Sequence, residues 1–255
     1  MELRLMDWTD DGIVLAVRRL GEAGIVASLF TRSHGRHPGM VPGGAGRANR
    51  AALQPGNLVQ ASWRARLPEQ LGTYRLELAE AHSAKALDDA GCLAALTSAC
   101  ALCEALLPER QPHAPLFDAL SALLVSLTAP SWPSVYVHWE LALLRGLGYG
   151  LDLSACAATG ATTDLIYVSP KSARAVSAQA GQPHAHKLLP LPAFLLGKSE
   201  GDATDIAAGL TLTGYFIERH LLQQRHIAMP PARLRLVDRL RSSSTISGLE
   251  IEGTS

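Results

Sequence analysis

The stretch NLVQASWRARL, residues 57–67, alternates apolar and polar side chains. Every second residue from Val59 to Leu67 is apolar, whereas the residues between them are polar or basic. This two-residue period predicts a half-buried β-strand whose outer face is basic. Trp63 falls on the apolar face, which favours a place in the core, although an exposed indole can also act as a platform for stacked bases. The sequence leaves both roles open.

Short β-like runs continue on both sides of this strand. Residues 12–20 and 25–31 flank the turn-rich segment GEAG, as in a hairpin, and residues 73–79 alternate again. Four or five short strands punctuated by glycine and proline predict a small sandwich or barrel.

After Asp88 the apolar period lengthens to three and four residues. Leucines and cysteines recur in this way over residues 93–107 and 116–127, and residues 139–147 and 205–223 behave similarly. Each pattern predicts an amphipathic helix. The intervening stretch, 151–201, is rich in Ser, Ala, Pro and Gly and is predicted to be irregular.

The bulk composition indicates a folded protein. The 255 residues are 47% hydrophobic and 18% charged, with no net charge, which is the reverse of a disordered chain. The start of the chain lacks a signal-peptide pattern, and no apolar run approaches the roughly 20 residues of a membrane span, so a cytoplasmic protein without membrane association is predicted. Cys100 and Cys103 form a CxxC motif, but both fall on the apolar face of a helix, which favours core packing over redox or metal chemistry.

The neutral total conceals two basic regions. Between Gly12 and Pro68 the chain has eight arginines and one carboxylate, Glu22. Between Arg219 and Arg241 it has six arginines and one carboxylate, Asp238. Such clusters favour an acidic partner, either a nucleic acid or an acidic peptide.

The segment TRSHGRHPGMVPGGAGRANR, residues 31–50, contains no carboxylate. It matches neither common nucleotide-binding motif, because no Gly-Lys-Ser/Thr follows the glycines and Asn49 stands where a dinucleotide motif needs a third glycine. The glycines can simply provide a long connection between strands. Alternatively, arginines in a glycine-rich loop suit the backbone of a nucleic acid, because a guanidinium forks onto phosphate oxygens and stacks on bases.

Signs of catalysis are missing from the sequence. No Gly-x-Ser-x-Gly turn occurs, and the acidic pairs at residues 10–11 and 88–89 stand at segment starts, where acids serve as caps or turn residues. We therefore expect a protein that is not an enzyme.

Several motifs resemble the RecO family of bacterial DNA repair and recombination proteins. They are LFTRSHGR (29–36), GGAGR (43–47), LQPG (53–56), WELALLRGLGY (139–149) and LDLSAC (151–156). The resemblance implies an α+β chain with an N-terminal OB-fold β-barrel over residues 1–82 and an all-α C-terminal domain over residues 83–241. The irregular insertion 151–201 belongs to that second domain, and a disordered tail is expected over residues 242–255.

The resemblance also implies a function. It implies binding of single- and double-stranded DNA, annealing of complementary strands, and loading of RecA together with RecR and the single-stranded-DNA-binding protein, at a cytoplasmic, nucleoid-associated location. Many members carry a four-cysteine zinc knuckle in the helical half. This chain has only Cys156 of that set, with Thr159 at the second position and YVSPKS (167–172) where another cysteine pair is expected, so neither a metal nor another cofactor is predicted.

The candidate DNA contacts come from the first basic region: Arg18, Arg19, Arg32, His34, Arg36, Arg47, Arg50, Arg64 and Arg66. His37 is a further candidate for a phosphate contact. The candidate partner contacts come from the second region: Arg219, Arg225, Arg233 and Arg235. A solvated stripe on a terminal helix explains the second set equally well.

The alternative function is an adaptor that recruits repair proteins through its helical half, with the β domain as a scaffold. An unrecognised hydrolase is a third hypothesis.

Overall fold

The computed structural model describes residues 6–21, 24–44 and 46–251, except for the side chains of residues 47, 48 and 243–251. Its backbone separates into two units. The first contains Met1–Thr128 with Pro230–Arg233, and the second contains Ala129–Met229 with Leu234–Ser255. The first helices after residue 82 therefore fold together with the β domain.

Five strands close into a barrel in the spatial order β1-β2-β3-β5-β4. They are β1 (Met6–Leu20), β2 (Gly24–Thr31), β3 (Gly35–Val41), β4 (Leu58–Ala65) and β5 (Thr73–Glu80). Neighbouring strands are antiparallel, except that β3 and β5 are parallel and pair at Met40 and Thr73. A five-stranded barrel of this kind confirms the α+β class and the OB-fold.

The first strand is long because it has two partners. Its first half pairs with β4, from Met6 to Ile13, and its second half pairs with β2, from Gly12 to Leu20. The register shifts between Val14 and Ala16, and such a bulge bends a strand and increases its twist. The bend lets one strand close both sides of the barrel.

The alternating apolar residues of β4 point into the core of the barrel, as the sequence predicts. Val59, Ala61 and Trp63 are buried, and the Trp63 indole Nε1 donates a hydrogen bond to the Leu71 carbonyl at 3.0 Å. The prediction of a core position for Trp63 is confirmed, and the stacking-platform role is wrong.

The third strand is absent from the sequence prediction, which treats residues 31–50 as one loop. The structure places β3 and the short helix α1 (Arg47–Ala52) in this segment. Pro38 and Gly39 are both poor strand formers. Gly39 is required by packing, since a Cβ there would come within 2.4 Å of the Tyr74 ring. That contact is long-range, so local sequence does not reveal it.

Three more helices complete the first unit: α2 (His82–Ala86), α3 (Ala90–Leu106) and α4 (Ala114–Ser126). Asp89 caps α3 by accepting hydrogen bonds from the amides of Gly91 and Cys92 at 2.6 and 2.9 Å, as predicted for an acid at a segment start. Cys100 and Cys103 are buried on α3, which confirms their core role.

The second unit combines helices with a small sheet. Its helices and strands are α5 (Trp132–Gly146), β6 (Leu165–Val168), β7 (Ala175–Ser177), α6 (Ala178–Gly181), β8 (Leu189–Pro190) and α7 (Ala203–Phe216), and α7 continues as a π-helix over Ile217–Leu222. The strands pair in the order β7-β6-β8. The predicted irregular insertion thus contains a sheet, whose two- to four-residue strands are too short for a periodicity to be recognised.

The last helix, α8 (Pro231–Ile251), extends into the stretch for which the sequence predicts disorder. Residues 252–255 lie outside the described part of the chain. Among the described residues, no helix is long and apolar enough to cross a membrane.

Candidate nucleic-acid interface

The barrel arginines nearest to α3 are held by carboxylates. Arg36 on β3 is the most enclosed, with its side chain only 16% exposed. Its guanidinium donates from Nε to the Leu107 carbonyl at 2.8 Å and lies 3.2 Å from Glu109 and 3.7 Å from Glu104. The positive charge of Arg36 is therefore compensated within the protein.

Glu104 on α3 joins further groups of the barrel. Its side chain, 17% exposed, accepts a hydrogen bond from Ser28 Oγ at 2.5 Å and one from Arg18 at 3.2 Å. Two arginines thus share one carboxylate that the barrel and α3 largely shield from water.

Arg32 is occupied in the same way by α4. Its two terminal nitrogens each donate to an oxygen of Asp118, one of them at 3.1 Å, and its guanidinium carbon lies 6.0 Å from the centre of the Phe117 ring. A two-pronged contact of this kind fixes the orientation of both side chains.

We define the paired flank as Arg18, Arg32 and Arg36 with Glu104, Glu109 and Asp118. The sequence predicts an acid-free arginine surface here, and the structure corrects that expectation. Its acids come from residues far along the chain; Arg32 and Asp118, for example, are 86 positions apart. A count of charges along residues 12–68 does not contain them.

The two histidines of the segment also have structural partners. His34 stacks on Trp8, with ring centres 4.0 Å apart, and its Nδ1 lies 3.2 Å from Asp10, which also accepts the Ser33 amide. His37 is 4% exposed, and its Nδ1 lies 3.1 Å from the Tyr74 hydroxyl. Burial, and secondly the charge of Arg110, lower the pKa of His37 to about 4. A neutral, buried His37 does not reach a phosphate, so that expectation is wrong.

A different face of the same barrel carries an open cavity of about 580 Å³. It lies between the end of β3, helix α1 and the outward side chains of β4 and β5, and its polar lining consists of Asn49, Ser62, Arg64, Thr73, Arg75 and Glu77. The strand register explains this lining. Arg64 stands opposite Thr73, and Ser62 stands opposite Arg75, so one outward row from each strand forms the floor.

Arg64 and Arg75 line this cavity. Arg66 follows Arg64 by two positions, in the outward phase of β4, and Arg50 follows the lining residue Asn49 on α1. In the parts of the chain that the structure describes, Arg50, Arg64 and Arg66 are exposed and have no carboxylate within ion-pair distance. Arg75 lies 3.4 Å from Glu77, but both side chains are largely exposed, so this pair holds Arg75 weakly. We define the arginine groove as the cavity with Arg50, Arg64, Arg66 and Arg75.

One predicted DNA contact, Arg19, is not a lining residue of the cavity. Arg19 is exposed on β1 near the turn into β2, where it pairs in register with Ile25. The side chain of Arg47 lies outside the described residues. Arg75 is missing from the sequence prediction, although the alternation over residues 73–79 already places it on the outer face.

The predicted partner arginines of the second basic region do not share one environment. Arg233 is 4% exposed, so it cannot present its guanidinium to a partner, and this prediction is wrong. Arg219, Arg225 and Arg235 are exposed, and Arg219 donates to the Tyr215 hydroxyl at 2.8 Å.

The segment in which the family resemblance implies a zinc knuckle does not provide a metal site. Within the described residues, no three His, Cys, Asp or Glu side chains are grouped so that they could hold a metal ion. Cys156 is the one cysteine of the second unit, and zinc knuckles need four ligands. Hydrogen bonds from the Ser177 and Thr159 hydroxyls and from the Ser177 amide lower the pKa of the Cys156 thiol to about 6. The donor set present does not fit zinc.

Known proteins are similar to this chain over most of its length. The family model described as Recombination protein O N terminal matches residues 6–82, and the one described as Recombination protein O C terminal matches residues 87–227. The DNA repair protein RecO of Rhodospirillum centenum is 53% identical over 96% of this chain and 98% of its own. The proteins of that name from Rhodospirillum rubrum and Phenylobacterium zucineum are 49% and 47% identical, over 93% and 94% of this chain and 97% and 100% of their own.

Proposed function

We propose that this chain, which belongs to the RecO family of DNA repair proteins, binds DNA in the arginine groove of its barrel and mediates recombination from there. The observation that carries the proposal is the contrast in pairing on one barrel. Arg36 is enclosed among carboxylates, and Arg18 and Arg32 form more exposed ion pairs, whereas Arg64 is exposed without a carboxylate partner among the described residues.

The groove suits the nucleic-acid backbone better than the bases. Arginine forks match phosphate oxygens whatever the sequence, and Ser62 and Thr73 add neutral hydrogen-bonding groups on the floor. The aromatic lining residue Tyr74 is buried, so it offers little ring surface for base stacking. We therefore expect binding with little base preference.

Backbone binding also suits annealing. A strand held by its phosphates keeps its Watson–Crick edges free to pair with a complementary strand. Double-stranded DNA presents the same phosphates, so we expect it to bind through the same charges, with affinity that falls as salt rises. These steps need no bond to be made or broken, and we propose a mediator that is not an enzyme and needs no cofactor.

The proposed partners follow from family membership. We propose that the protein assists RecA loading with RecR and the single-stranded-DNA-binding protein, at a cytoplasmic, nucleoid-associated location. The exposed arginines of the second unit, Arg219, Arg225 and Arg235, are candidates for an acidic partner. The adaptor hypothesis places all of the function in such protein contacts, with little intrinsic DNA binding.

The test is the binding of a fluorescent single-stranded oligonucleotide, measured by anisotropy on the full chain. The triple variant Arg64→Glu, Arg66→Glu and Arg75→Glu should bind about a hundredfold more weakly, because each reversed charge repels the backbone it contacted. The matched control is Arg32→Ala with Asp118→Ala, which removes an arginine together with its acid and should change affinity less than about twofold.

Two results would contradict the proposal. Unchanged binding by the groove variant, with its circular dichroism spectrum intact, would exclude the groove as the DNA site. Poor binding by the wild type itself, with retained capture of the single-stranded-DNA-binding protein, would favour the adaptor.

A further inference from the structure

The remnant knuckle of the second unit is built around one sulfur atom. Cys156 is 1% exposed, and its Sγ accepts hydrogen bonds from the Ser177 amide at 3.3 Å and from the Ser177 hydroxyl at 3.4 Å. Thr159, three residues after Cys156, accepts a hydrogen bond from the Ala161 amide at 3.3 Å and helps to lower the pKa of the Cys156 thiol. The Ser177 hydroxyl and the cysteine sulfur, from two separate segments, therefore meet next to Thr159.

The backbone brings these segments together. The Cys156 amide donates to the Ala161 carbonyl at 2.7 Å, and the Gly160 amide donates back to the Cys156 carbonyl at 2.9 Å, which closes a tight turn. The Ala157 amide donates to the Ala175 carbonyl at 2.8 Å, so the turn is attached to β7 next to Ser177. This arrangement joins a cysteine turn to a strand end, as a bound metal would.

The residue that contacts Cys156 is not in the stretch where the resemblance places a second pair of ligands. The resemblance places a second ligand pair within YVSPKS, residues 167–172, whereas the residue that meets Cys156 is Ser177. Serine and threonine hydroxyls stay protonated at neutral pH and donate hydrogen bonds, whereas zinc takes thiolates, imidazoles or carboxylates. The groups that converge here can bind the sulfur but cannot complete a zinc site.

We propose that this knuckle folds without metal, and that hydrogen bonds from the amide and hydroxyl of Ser177 to Cys156 hold together the two segments that a zinc ion would join. Each hydrogen bond contributes modestly, but the sulfur is shielded from water, so losing a donor leaves it incompletely satisfied. The inference is independent of DNA binding, because it concerns the second unit alone.

The first test measures stability and metal content of the full chain. Wild-type protein should contain no stoichiometric zinc by elemental analysis, and its Tm should not change in EDTA. Ser177→Ala should lower the Tm by about 3 °C, whereas Ser172→Ala, an exposed serine of the same segment, should leave it unchanged. One zinc per chain with a Tm that falls on chelation would overturn the proposal, as would an unchanged Tm in Ser177→Ala.

The second test examines the convergence itself. The double variant Thr159→Cys and Ser177→Cys places three thiols around one point, and titration with Co²⁺ should produce the intense thiolate charge-transfer absorption of a sulfur-bound ion, which wild-type protein should not show. A folded double variant without that absorption would show that the three side chains do not converge. If the double variant fails to fold, the comparison of Ser177→Ala with Ser172→Ala decides.

Discussion

The paired flank and the arginine groove belong to one barrel and use the same residue type, yet they differ in their surroundings. On the flank, α3 and α4 bring carboxylates to Arg18, Arg32 and Arg36. At the groove, Arg50, Arg64 and Arg66 are exposed to solvent, and Arg75 forms only a weak, exposed ion pair with Glu77. The role of a charged residue therefore depends on which groups the fold places next to it. Charge density along the chain indicates a basic region without showing which of its members are available.

The largest predicted effect is on the free energy of unfolding, and it distinguishes a glycine next to the paired flank, Gly35, from Gly43, which follows the groove residue Pro42. Gly35 and Gly43 both have positive φ, but a Cβ on Gly35 would lie 1.9 Å from the Gln111 carbonyl oxygen, whereas a Cβ on Gly43 would have nothing within 4 Å. Gly35→Ala should therefore cost at least about 4 kcal/mol in free energy of unfolding, and Gly43→Ala only about 1 kcal/mol. Urea unfolding of both variants measures this, and equal losses would show that the segment after α3 is not tightly docked on the flank.

The next prediction is a pH dependence of stability that arises from His37, on the same strand as Arg36. The folded-state pKa of His37, about 4, lies below its ordinary value of 6.5, so the unfolded chain takes up this proton first. The stability that neutral His37 provides is complete above about pH 6.5 and should decrease by about 3 kcal/mol as the pH falls to 4. The measurement is the difference in unfolding free energy between wild type and His37→Gln across this range. A difference that stays constant with pH would contradict the assignment.

A smaller effect on stability is predicted when one arginine is removed from each region. Arg36→Ala removes the less exposed of the two guanidiniums that share Glu104, together with its hydrogen bond to the Leu107 carbonyl, and should lower the free energy of unfolding by about 2 kcal/mol. Arg64→Ala removes an exposed side chain that has no carboxylate partner among the described residues, and should change the free energy of unfolding by less than about 0.5 kcal/mol. Chemical unfolding of both variants checks this order, and a larger loss for Arg64→Ala would reverse the roles assigned to the two regions.

The smallest effect comes from releasing a flank arginine. Asp118→Asn should free Arg32 at a stability cost below about 0.5 kcal/mol, because both partners are about half exposed. The freed charge should raise oligonucleotide affinity by up to about threefold. A fall in affinity by anisotropy would mean that Asp118 itself supports binding.

The sequence predicts what depends on local periodicity. Alternation identifies the strand around Trp63, and three- and four-residue spacing identifies the helix that buries Cys100 and Cys103. It does not identify β3, since the need for Gly39 arises from the packing of Tyr74. The strands of the small sheet in the second unit are too short to show a period.

The candidate DNA-binding site can be predicted only in part, because it also depends on contacts between residues far apart in the chain. The basic character of residues 12–68 is visible in the sequence, and so is the outward phase of Arg64 and Arg66. The partners of Arg32 and Arg36 are not visible there, because they come from α3, α4 and the segment between them, more than 60 positions away in the chain. Arg75 is overlooked because only the pairing of β4 with β5 places it beside Ser62.

The most direct test of this account is the salt dependence of binding to a single-stranded oligonucleotide. The slope of the logarithm of the affinity against the logarithm of salt concentration counts the phosphates that the protein neutralises. Arg64→Ala should reduce the magnitude of the slope by about 0.7, the value for one phosphate contact on a single strand, and Arg32→Ala should leave it as in wild type. An unchanged slope in Arg64→Ala together with a reduced slope in Arg32→Ala would contradict the assignment of DNA binding to the arginine groove.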